Sequence, residues 1–298
     1  MVPESAWRAS TARSMARATA GGSHTSPCAT AGDEHQFAYC GMCGYRIKGS
    51  QPDMASPAVQ RMMRVSAEKP KGWDMDRGSR DEMLGHLAEV VASVRVAHPT
   101  RVAIDGPPAA GKTTLADELA VVLRTQGRDV IRATIDDFLF PRAQRYPHGE
   151  YSAEGCYYDT HDHDALNRVL LDPLGPGGDR RFQPTVYDHT SDAVLSPPVM
   201  TAPADAVLVF DGVFLMRPEL IDRWDLRIFV STALDATVDR AVIRERWVSS
   251  RAQVERRWRE RYIPSQQFYF AAVRPTDHAD IIVHNDEPQQ PAWTTRTH

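Results

Sequence analysis

A short glycine-bounded stretch constrains the fold of this chain more than any other feature of its sequence. Residues 106–113 read Gly-Pro-Pro-Ala-Ala-Gly-Lys-Thr, which fits the pattern G-x-x-x-x-G-K-[ST] of a phosphate-binding loop, or P-loop. An apolar, β-branched run precedes the loop (residues 101–105), and a run with helical periodicity follows it (residues 113–127). A buried strand that leads through a glycine-rich turn into a helix is the context this loop requires. The sequence therefore predicts an α/β fold that binds the phosphates of a nucleotide.

The residues of the loop have separate expected roles toward ATP and Mg²⁺. Glycines let backbone N–H groups curl around the phosphates, and the following helix presents its positive N-terminal end to them. Lys112 is expected to reach the β- and γ-phosphates, and the Thr113 hydroxyl to hold Mg²⁺. The predicted ATP-binding residues are Gly106, Pro107, Pro108, Ala109, Ala110, Gly111, Lys112, Thr113 and Thr114.

Strand-like and helix-like segments alternate along the rest of the chain. A helix capped by Ser79 and ended by Pro99 precedes the first strand. The predicted strands are residues 101–105, 129–136, 207–212, 226–231 and 279–285, and further helices cover 113–127 and 234–248. This alternation predicts a P-loop NTPase-type three-layer α/β fold with a five-stranded, mainly parallel sheet. Ligands of such sheets bind at the carboxyl ends of the strands.

The two ends of the chain lack this periodicity. Residues 1–80 are rich in Ala, Ser, Thr, Gly and Pro, and we predict a disordered or poorly ordered extension there. Residues 81–285 would hold the P-loop domain, and residues 286–298 a flexible tail. Cys40 and Cys43 have the spacing of half a zinc site, but the chain offers no second well-spaced pair. Exposed thiols are therefore the favoured interpretation of these cysteines.

Composition limits the partners that the chain can have. The formal net charge is −4, so no basic excess indicates a nucleic-acid partner. No apolar run approaches the roughly 20 residues of a membrane span. The Arg-, Ser- and Ala-rich opening is similar to a transit peptide, but a disordered extension has the same composition. We expect a cytoplasmic protein that acts on a small molecule, and formation of a homo-oligomer stays open.

Carboxylates follow two of the predicted strands. In "ATIDDFLF" (residues 133–140), Asp136 and Asp137 end a strand at the expected position of the γ-phosphate. One of them could accept the proton of an attacking hydroxyl, or both could simply end the strand. Asp211, at the end of "VLVFD", matches the acidic residue that organises Mg²⁺ in P-loop proteins. These positions favour a phosphoryl-transfer site over simple nucleotide binding.

Eight arginines occur between residues 240 and 261. Because glutamates interleave with them, most are interpreted as a solvated helix face. Phosphoryl transfer also needs cations on the γ-phosphate, which a closing lid often supplies. We predict that Arg244 and Arg251 serve this catalytic role.

Together these segments resemble the uridine kinase family of P-loop nucleoside kinases, in its bacterial uridine kinase-like branch. The resemblance spans residues 101–285 and rests on landmarks in the family's order: the P-loop, "IDDFL" (135–139), "PTVYD" (184–188) and "FDG" (210–212). "HDHDAL" and "DPLGPGG" match further segments of that branch. The resemblance implies Mg²⁺-dependent phosphorylation of the 5′-hydroxyl of a uridine- or cytidine-like nucleoside by ATP.

The resemblance also implies which residues face the acceptor. Asp136 matches the catalytic Asp, Asp159 lies near the position of a ribose-binding Asp, and Tyr187 matches an aromatic residue of the base pocket. Asp137 and Tyr158 adjoin these positions and complete the predicted acceptor site.

The acceptor pocket departs from the family's pattern at two positions. Asp192 stands where the family has a base-contacting His, and Ala241 where it has a ribose-contacting Arg. The acceptor could therefore be pantothenate, nicotinamide riboside or another small alcohol. A slow ATP-hydrolysing switch is a further alternative. The long segment between the second and third strands argues against a switch, which needs no acceptor apparatus.

Overall fold

The computed structural model describes residues 73–296 and two short strands nearer the N-terminus. Those strands, β1 (Ala38–Tyr39) and β2 (Arg46–Ile47), pair with each other in antiparallel orientation. The chain divides after Asp53 into two units, and β1 and β2 belong to the first. Cys40, Cys43 and the greater part of the predicted extension lie outside the described residues.

The second unit alternates strands and helices around one large sheet. Its first part contains β3 (Trp73–Arg77), α1 (Arg80–Ser93), β4 (Thr100–Asp105), α2 (Lys112–Thr125) and β5 (Val130–Thr134). Short elements follow: α3 (Arg142–Arg145), α4 (Ala153–Tyr158), α5 (His163–Leu166), β6 (Arg181–Phe182), β7 (Tyr187–Asp188), β8 (Ala193–Val194) and β9 (Met200–Thr201). The last part contains β10 (Val207–Gly212), β11 (Leu226–Ser231), α6 (Leu234–Glu245), α7 (Arg251–Arg257), α8 (Ile263–Val273), α9 (Pro275–His278), β12 (Ile281–His284) and β13 (Ala292–Arg296).

The large sheet confirms the predicted fold class and is wider than predicted. Its strand order is β3-β13-β12-β11-β4-β10-β5. The five strands from β12 to β5 run parallel, as expected, and β13 and β3 add two antiparallel strands at one edge. Strand β3 lies in the predicted extension and β13 in the predicted tail, so both predicted boundaries were wrong at these residues. An antiparallel strand needs only a short connection to its neighbour, so no helical segment precedes β13 in the sequence.

Helix α1 begins where the sequence predicted and ends earlier. The Ser79 hydroxyl accepts a hydrogen bond from the N–H of Glu82, and the Glu82 carboxylate accepts one from the N–H of Ser79. The helix ends at Ser93 rather than at Pro99, because Val94 already adopts extended backbone angles (φ −62°, ψ 128°). A proline restricts the backbone conformation of the residue before it, so a helix can end well before the proline.

Apolar clusters cover both faces of the sheet and fix the positions of its strands. On one face, α1 and α2 pack their buried residues, among them Leu87 and Leu119, against β4, β10, β11 and β12. On the other face, Phe138, Phe210 and Trp224 belong to a second cluster. The carboxyl ends of β4, β5 and β10 therefore meet at one edge, and the chain segments that leave them are held side by side.

Candidate active site

The loop between β4 and α2 has the backbone geometry of a phosphate cradle. Gly106 (φ +150°) and Gly111 (φ +96°) adopt left-handed backbone angles that favour glycine. A Cβ atom at Gly106 would collide with the carbonyl oxygen of Val230, and one at Gly111 with the side-chain amide of Asn285. That amide donates a hydrogen bond to the Ala110 carbonyl (2.7 Å) and so fastens the loop to the end of β12. The glycines of the motif are thus required by sterics as well as by the ligand.

The loop residues divide into those that line a cleft and those that support it. The lining residues are Pro108, Ala109, Gly111, Lys112, Thr113 and Thr114. Gly106, Pro107 and Ala110, which the sequence also assigned to ATP, are buried beneath them. Helix α2 begins at Lys112 directly after the loop, so its N-terminus is directed at this edge of the cleft.

Lys112 and Thr113 are already held by partners within the protein. The Lys112 ammonium is buried and donates to the Pro107 carbonyl (2.7 Å). Burial lowers the pKa of Lys112, and the negative charges of Asp211 and Asp105 oppose that shift. The Thr113 hydroxyl donates to one carboxylate oxygen of Asp211 (2.6 Å).

The Thr113–Asp211 pair fits a magnesium site. Mg²⁺ prefers hard oxygen ligands, and a hydroxyl and a carboxylate face each other here at the carboxyl end of β10. Arg132 contacts the second carboxylate oxygen of Asp211 (2.6 Å) and fixes the orientation of the carboxylate. Thr113 and Asp211 are therefore the residues that would hold Mg²⁺, and their role as metal ligands stays a prediction.

The two carboxylates after β5 have different surroundings. A 3₁₀ turn, Ile135–Phe138, carries both of them. Asp136 lines the cleft, and although its side chain is accessible there, the surrounding walls withdraw it from bulk water. This desolvation, with a further contribution from Asp211, raises the pKa of Asp136. Asp137 instead turns back and accepts a hydrogen bond from the N–H of Thr134 (3.4 Å), so of these two carboxylates only Asp136 lines the cleft.

All these groups share one cleft of about 750 Å³. Its further polar lining includes Arg142, Arg145, Tyr146, His161, His189, Arg240, Arg244, Arg261 and Gln266. Of these, sequence reasoning selected only Arg244. Arg261 was assigned to a solvated helix face, yet it is buried and donates to the carbonyls of Glu150 (3.0 Å) and Ser152 (3.2 Å). Its position next to the apolar start of α8 was the available signal.

The two predicted lid arginines separate in the structure. Arg244, near the end of α6, lines the cleft. Arg251 lies in the first turn of α7, is 68% exposed in its side chain, and pairs with Glu255 (2.7 Å). It does not line the cleft, because an i,i+4 partner holds it on the outer face of its own helix.

Tyr187 reaches the acceptor side of the cleft only through another residue. The tyrosine is buried, and its hydroxyl donates to Asp192 (2.5 Å) and accepts from Arg145 (2.9 Å). Arg145 in turn lines the cleft. Tyr187 itself does not line the cleft, and its predicted contact with the acceptor stays a prediction. Asp192, at the position of the family's histidine, is engaged by this tyrosine and by the N–H of Arg142 (3.0 Å).

Tyr158 and Asp159 also lie outside the cleft lining. Helix α4 turns Cys156 and Tyr157 inward, and Tyr158 is left 52% exposed against the edge of Phe268. Asp159 ends the helix and contacts His148 (2.8 Å). The predicted contacts of these two residues with the acceptor stay predictions.

Comparisons with known proteins identify the family of the chain. The model of the Cytidylate kinase-like family matches residues 101–287. Uridine-cytidine kinase B of Dictyostelium discoideum is 28% identical over 149 residues, which cover 50% of this chain and 59% of that kinase. Within the described residues, no helix is both long and apolar enough to cross a bilayer.

Solved structures share the fold at lower identity. A possible uridine kinase from Bacillus stearothermophilus has a TM-score of 0.54 at 24% identity, covering 68% of this chain and 97% of its own. D-glycerate 3-kinase from Cryptococcus neoformans has a TM-score of 0.51 at 16% identity, covering 70% of this chain and 96% of its own. The P-loop, the Thr113–Asp211 pair and the Asp136 carboxylate lie at one edge of the sheet, and the family model matches across that whole region. The resemblance to uridine kinases is confirmed, and the chain belongs to the cytidylate kinase-like family of P-loop kinases.

Proposed function

We propose that the protein transfers the γ-phosphoryl group of ATP to the 5′-hydroxyl of a uridine- or cytidine-like nucleoside. The observation that carries this proposal is the convergence of Lys112, Asp136 and Asp211 on one cleft. These residues follow β4, β5 and β10, which are neighbours in the sheet. A P-loop alone would support nucleotide binding, whereas a desolvated carboxylate beside it supports transfer to a hydroxyl.

In the proposed mechanism, Asp136 accepts the proton of the acceptor hydroxyl as the hydroxyl attacks the γ-phosphate. Its raised pKa makes the carboxylate a better proton acceptor than an ordinary aspartate. Lys112 and Arg244 neutralise charge on the transferring oxygens. Thr113 and Asp211 would hold Mg²⁺, which would supply further charge neutralisation at the phosphates. Positioning and electrostatics provide most of the rate gain, because little covalent chemistry is left to the protein.

A second candidate acceptor is an alcohol that carries an acid group, such as pantothenate or glycerate. Two buried guanidinium groups, Arg145 and Arg261, line the cleft and favour it, because buried positive charge attracts a carboxylate or phosphate. Against it stands the name of the curated relative, a uridine-cytidine kinase. Both candidates use the same phosphate machinery.

An acceptor panel tests the proposal. ADP formation is measured with uridine, cytidine, nicotinamide riboside, pantothenate or D-glycerate, and the product is identified by mass spectrometry. Uridine- or cytidine-dependent ADP formation, lost in Asp136→Asn, is the expected result. Turnover with an acidic alcohol alone would favour the second candidate. ADP formation at the same rate with and without each acceptor would contradict the proposal that the protein phosphorylates these substrates.

A further inference from the structure

Gln266 is a buried polar side chain with no partner in its surroundings. It lies on α8, is 1% exposed, and lines the cleft. Within the described part of the chain, neither its amide oxygen nor its amide nitrogen finds a hydrogen-bond partner. Folded proteins pair nearly all such groups, because an unpaired buried amide is costly. A bound ligand would supply the missing partners.

His161 presents a second unpaired group to the same cleft. It is 6% exposed, and its Nδ1 has no hydrogen-bond partner among the described residues. Burial lowers the pKa of His161 well below its ordinary value, and the charges of His163 and Arg217 lower it further. The imidazole is therefore neutral, with one ring nitrogen as donor and the other as acceptor.

The chemistry of these groups selects among ligands. An amide offers a donor and an acceptor side by side, and a neutral imidazole adds one of each. A carboxylate or phosphate only accepts, so it would leave the amide oxygen of Gln266 facing negative charge. A lactam or amidine edge, of the kind that pyrimidines carry, both donates and accepts. Three aromatic side chains, Tyr146, Trp258 and Tyr262, also line the cleft.

We infer that Gln266 and His161 recognise the neutral hydrogen-bonding edge of the acceptor's pyrimidine and determine its specificity. The inference rests on the proposed function and concerns which groups read the base. Asp192 is engaged by Tyr187 and Arg142, as described above, and does not line the cleft. Recognition of the base therefore moves to another wall of the cleft.

The principal test is Gln266→Met, which keeps the length of the side chain and removes both polar atoms. With uridine and cytidine, kcat/KM is expected to fall by about 10- to 100-fold, mainly through KM, because one or two hydrogen bonds are lost. The KM for ATP stays unchanged. The melting temperature stays equal or rises, because no paired group is removed from the unliganded protein. If Gln266 had a purely structural role, Gln266→Met would instead lower the melting temperature and leave the ratio of the acceptor KM to the ATP KM unchanged.

Asn167→Leu is the matched control. Its amide oxygen is also buried without a partner, but the residue does not line the cleft. All kinetic constants are expected to stay within twofold of the wild type, while Gln266→Met changes the acceptor KM.

Gln266→Glu tests whether Gln266 contacts the ring position at which cytidine and uridine differ. A carboxylate accepts from the exocyclic amino group of cytidine, but it faces a carbonyl at the same ring position of uridine. The ratio of kcat/KM for cytidine to that for uridine is expected to rise about tenfold. A ratio equal to that of the wild type would overturn the assignment of Gln266 to the base.

The outcomes separate this inference from the proposed function. A wild-type enzyme without nucleoside-dependent ADP formation would refute the proposed function. A wild-type enzyme that phosphorylates nucleosides, together with a Gln266→Met variant of unchanged acceptor KM, would refute only the inference. Preference for pantothenate or glycerate, insensitive to Gln266→Met, would assign recognition to the arginines instead.

Discussion

The phosphate-binding side of the cleft and the side lined by α8 satisfy their polar groups in different ways. On the phosphate-binding side, Lys112 is bonded to its own loop and Thr113 to Asp211, which Arg132 holds in turn. On the other side, both amide atoms of Gln266 lack partners within the described structure. The first side is preorganised by the protein alone, whereas the second is completed by the acceptor. Substitutions on the first side should affect every acceptor equally, and those on the second should change the choice of acceptor.

Replacing Lys112 gives the largest expected effect. Lys112→Ala removes the P-loop cation that is expected to reach the β- and γ-phosphates, so kcat should fall by roughly 10³-fold or more with every active acceptor. Arg124→Ala, on the exposed face of the same helix, serves as the control and should retain wild-type turnover. Steady-state assays with two acceptors check this prediction. A fall in kcat with only one of the two acceptors would contradict the distinction between the two sides of the cleft.

Replacing Asp136 separates transfer from ATP binding. Asp136→Asn should lower kcat by about 10²- to 10⁴-fold and leave ATP affinity, measured by calorimetry, unchanged. In the wild type, kcat/KM should fall as pH decreases through the raised pKa of Asp136, at a pH above the ordinary value of 3.8. An acid limb near the ordinary value would contradict the assignment.

The same variant has a stability signature of known sign. A carboxyl whose folded-state pKa is raised destabilises the fold when ionised, so the penalty is present above the raised pKa. Asp136→Asn should therefore have a higher melting temperature than the wild type at neutral pH. The difference should disappear as pH falls below the ordinary pKa of aspartate. A lower melting temperature at neutral pH would indicate that Asp136 is a structural residue.

Arg244 should give a smaller effect, because its side chain is 60% exposed and water screens its charge. Arg244→Ala is expected to lower kcat by about tenfold. Arg256→Ala is the matched control, since Arg256 is an exposed arginine that pairs with Glu260 (3.0 Å) and does not line the cleft. Equal falls in kcat in the two variants would mean that kcat depends on the overall positive charge of the protein and not on the position of Arg244.

Trp293 tests a region away from the cleft. The side chain is 6% exposed and packs in the cluster of α1 and α2. Trp293→Ala should lower the free energy of unfolding by about 3–5 kcal/mol without changing the acceptor preference. Trp247→Ala, at an 82% exposed position, should change it by no more than about 0.5 kcal/mol. Urea denaturation measures both values. An unchanged free energy of unfolding in Trp293→Ala would support the prediction that residues 286–298 form a flexible tail.

The sequence predicted the phosphate-binding side well because local rules determine it. The P-loop is continuous in sequence, and Asp136 and Asp211 each follow an apolar strand, so parallel strand ends bring them together. The acceptor side is assembled from short elements that have little periodicity. Arg261, for example, bonds to the carbonyl of Glu150, more than a hundred residues away. No local pattern indicates such a contact. Tyr187, one of the two tyrosines that the sequence assigned to the acceptor site, instead directs its hydroxyl to Asp192 and Arg145.

The pairing of β3 with β13 also has a consequence for synthesis of the chain. Within the large sheet, β3 leaves the ribosome before every other strand, and its partner β13 leaves after all of them. Until then, the edge of β12 is open, and an open strand edge can pair with another polypeptide. Pairing of β13 with β12 and β3 therefore covers this edge of the nascent kinase and joins the first strand of the large sheet to its last.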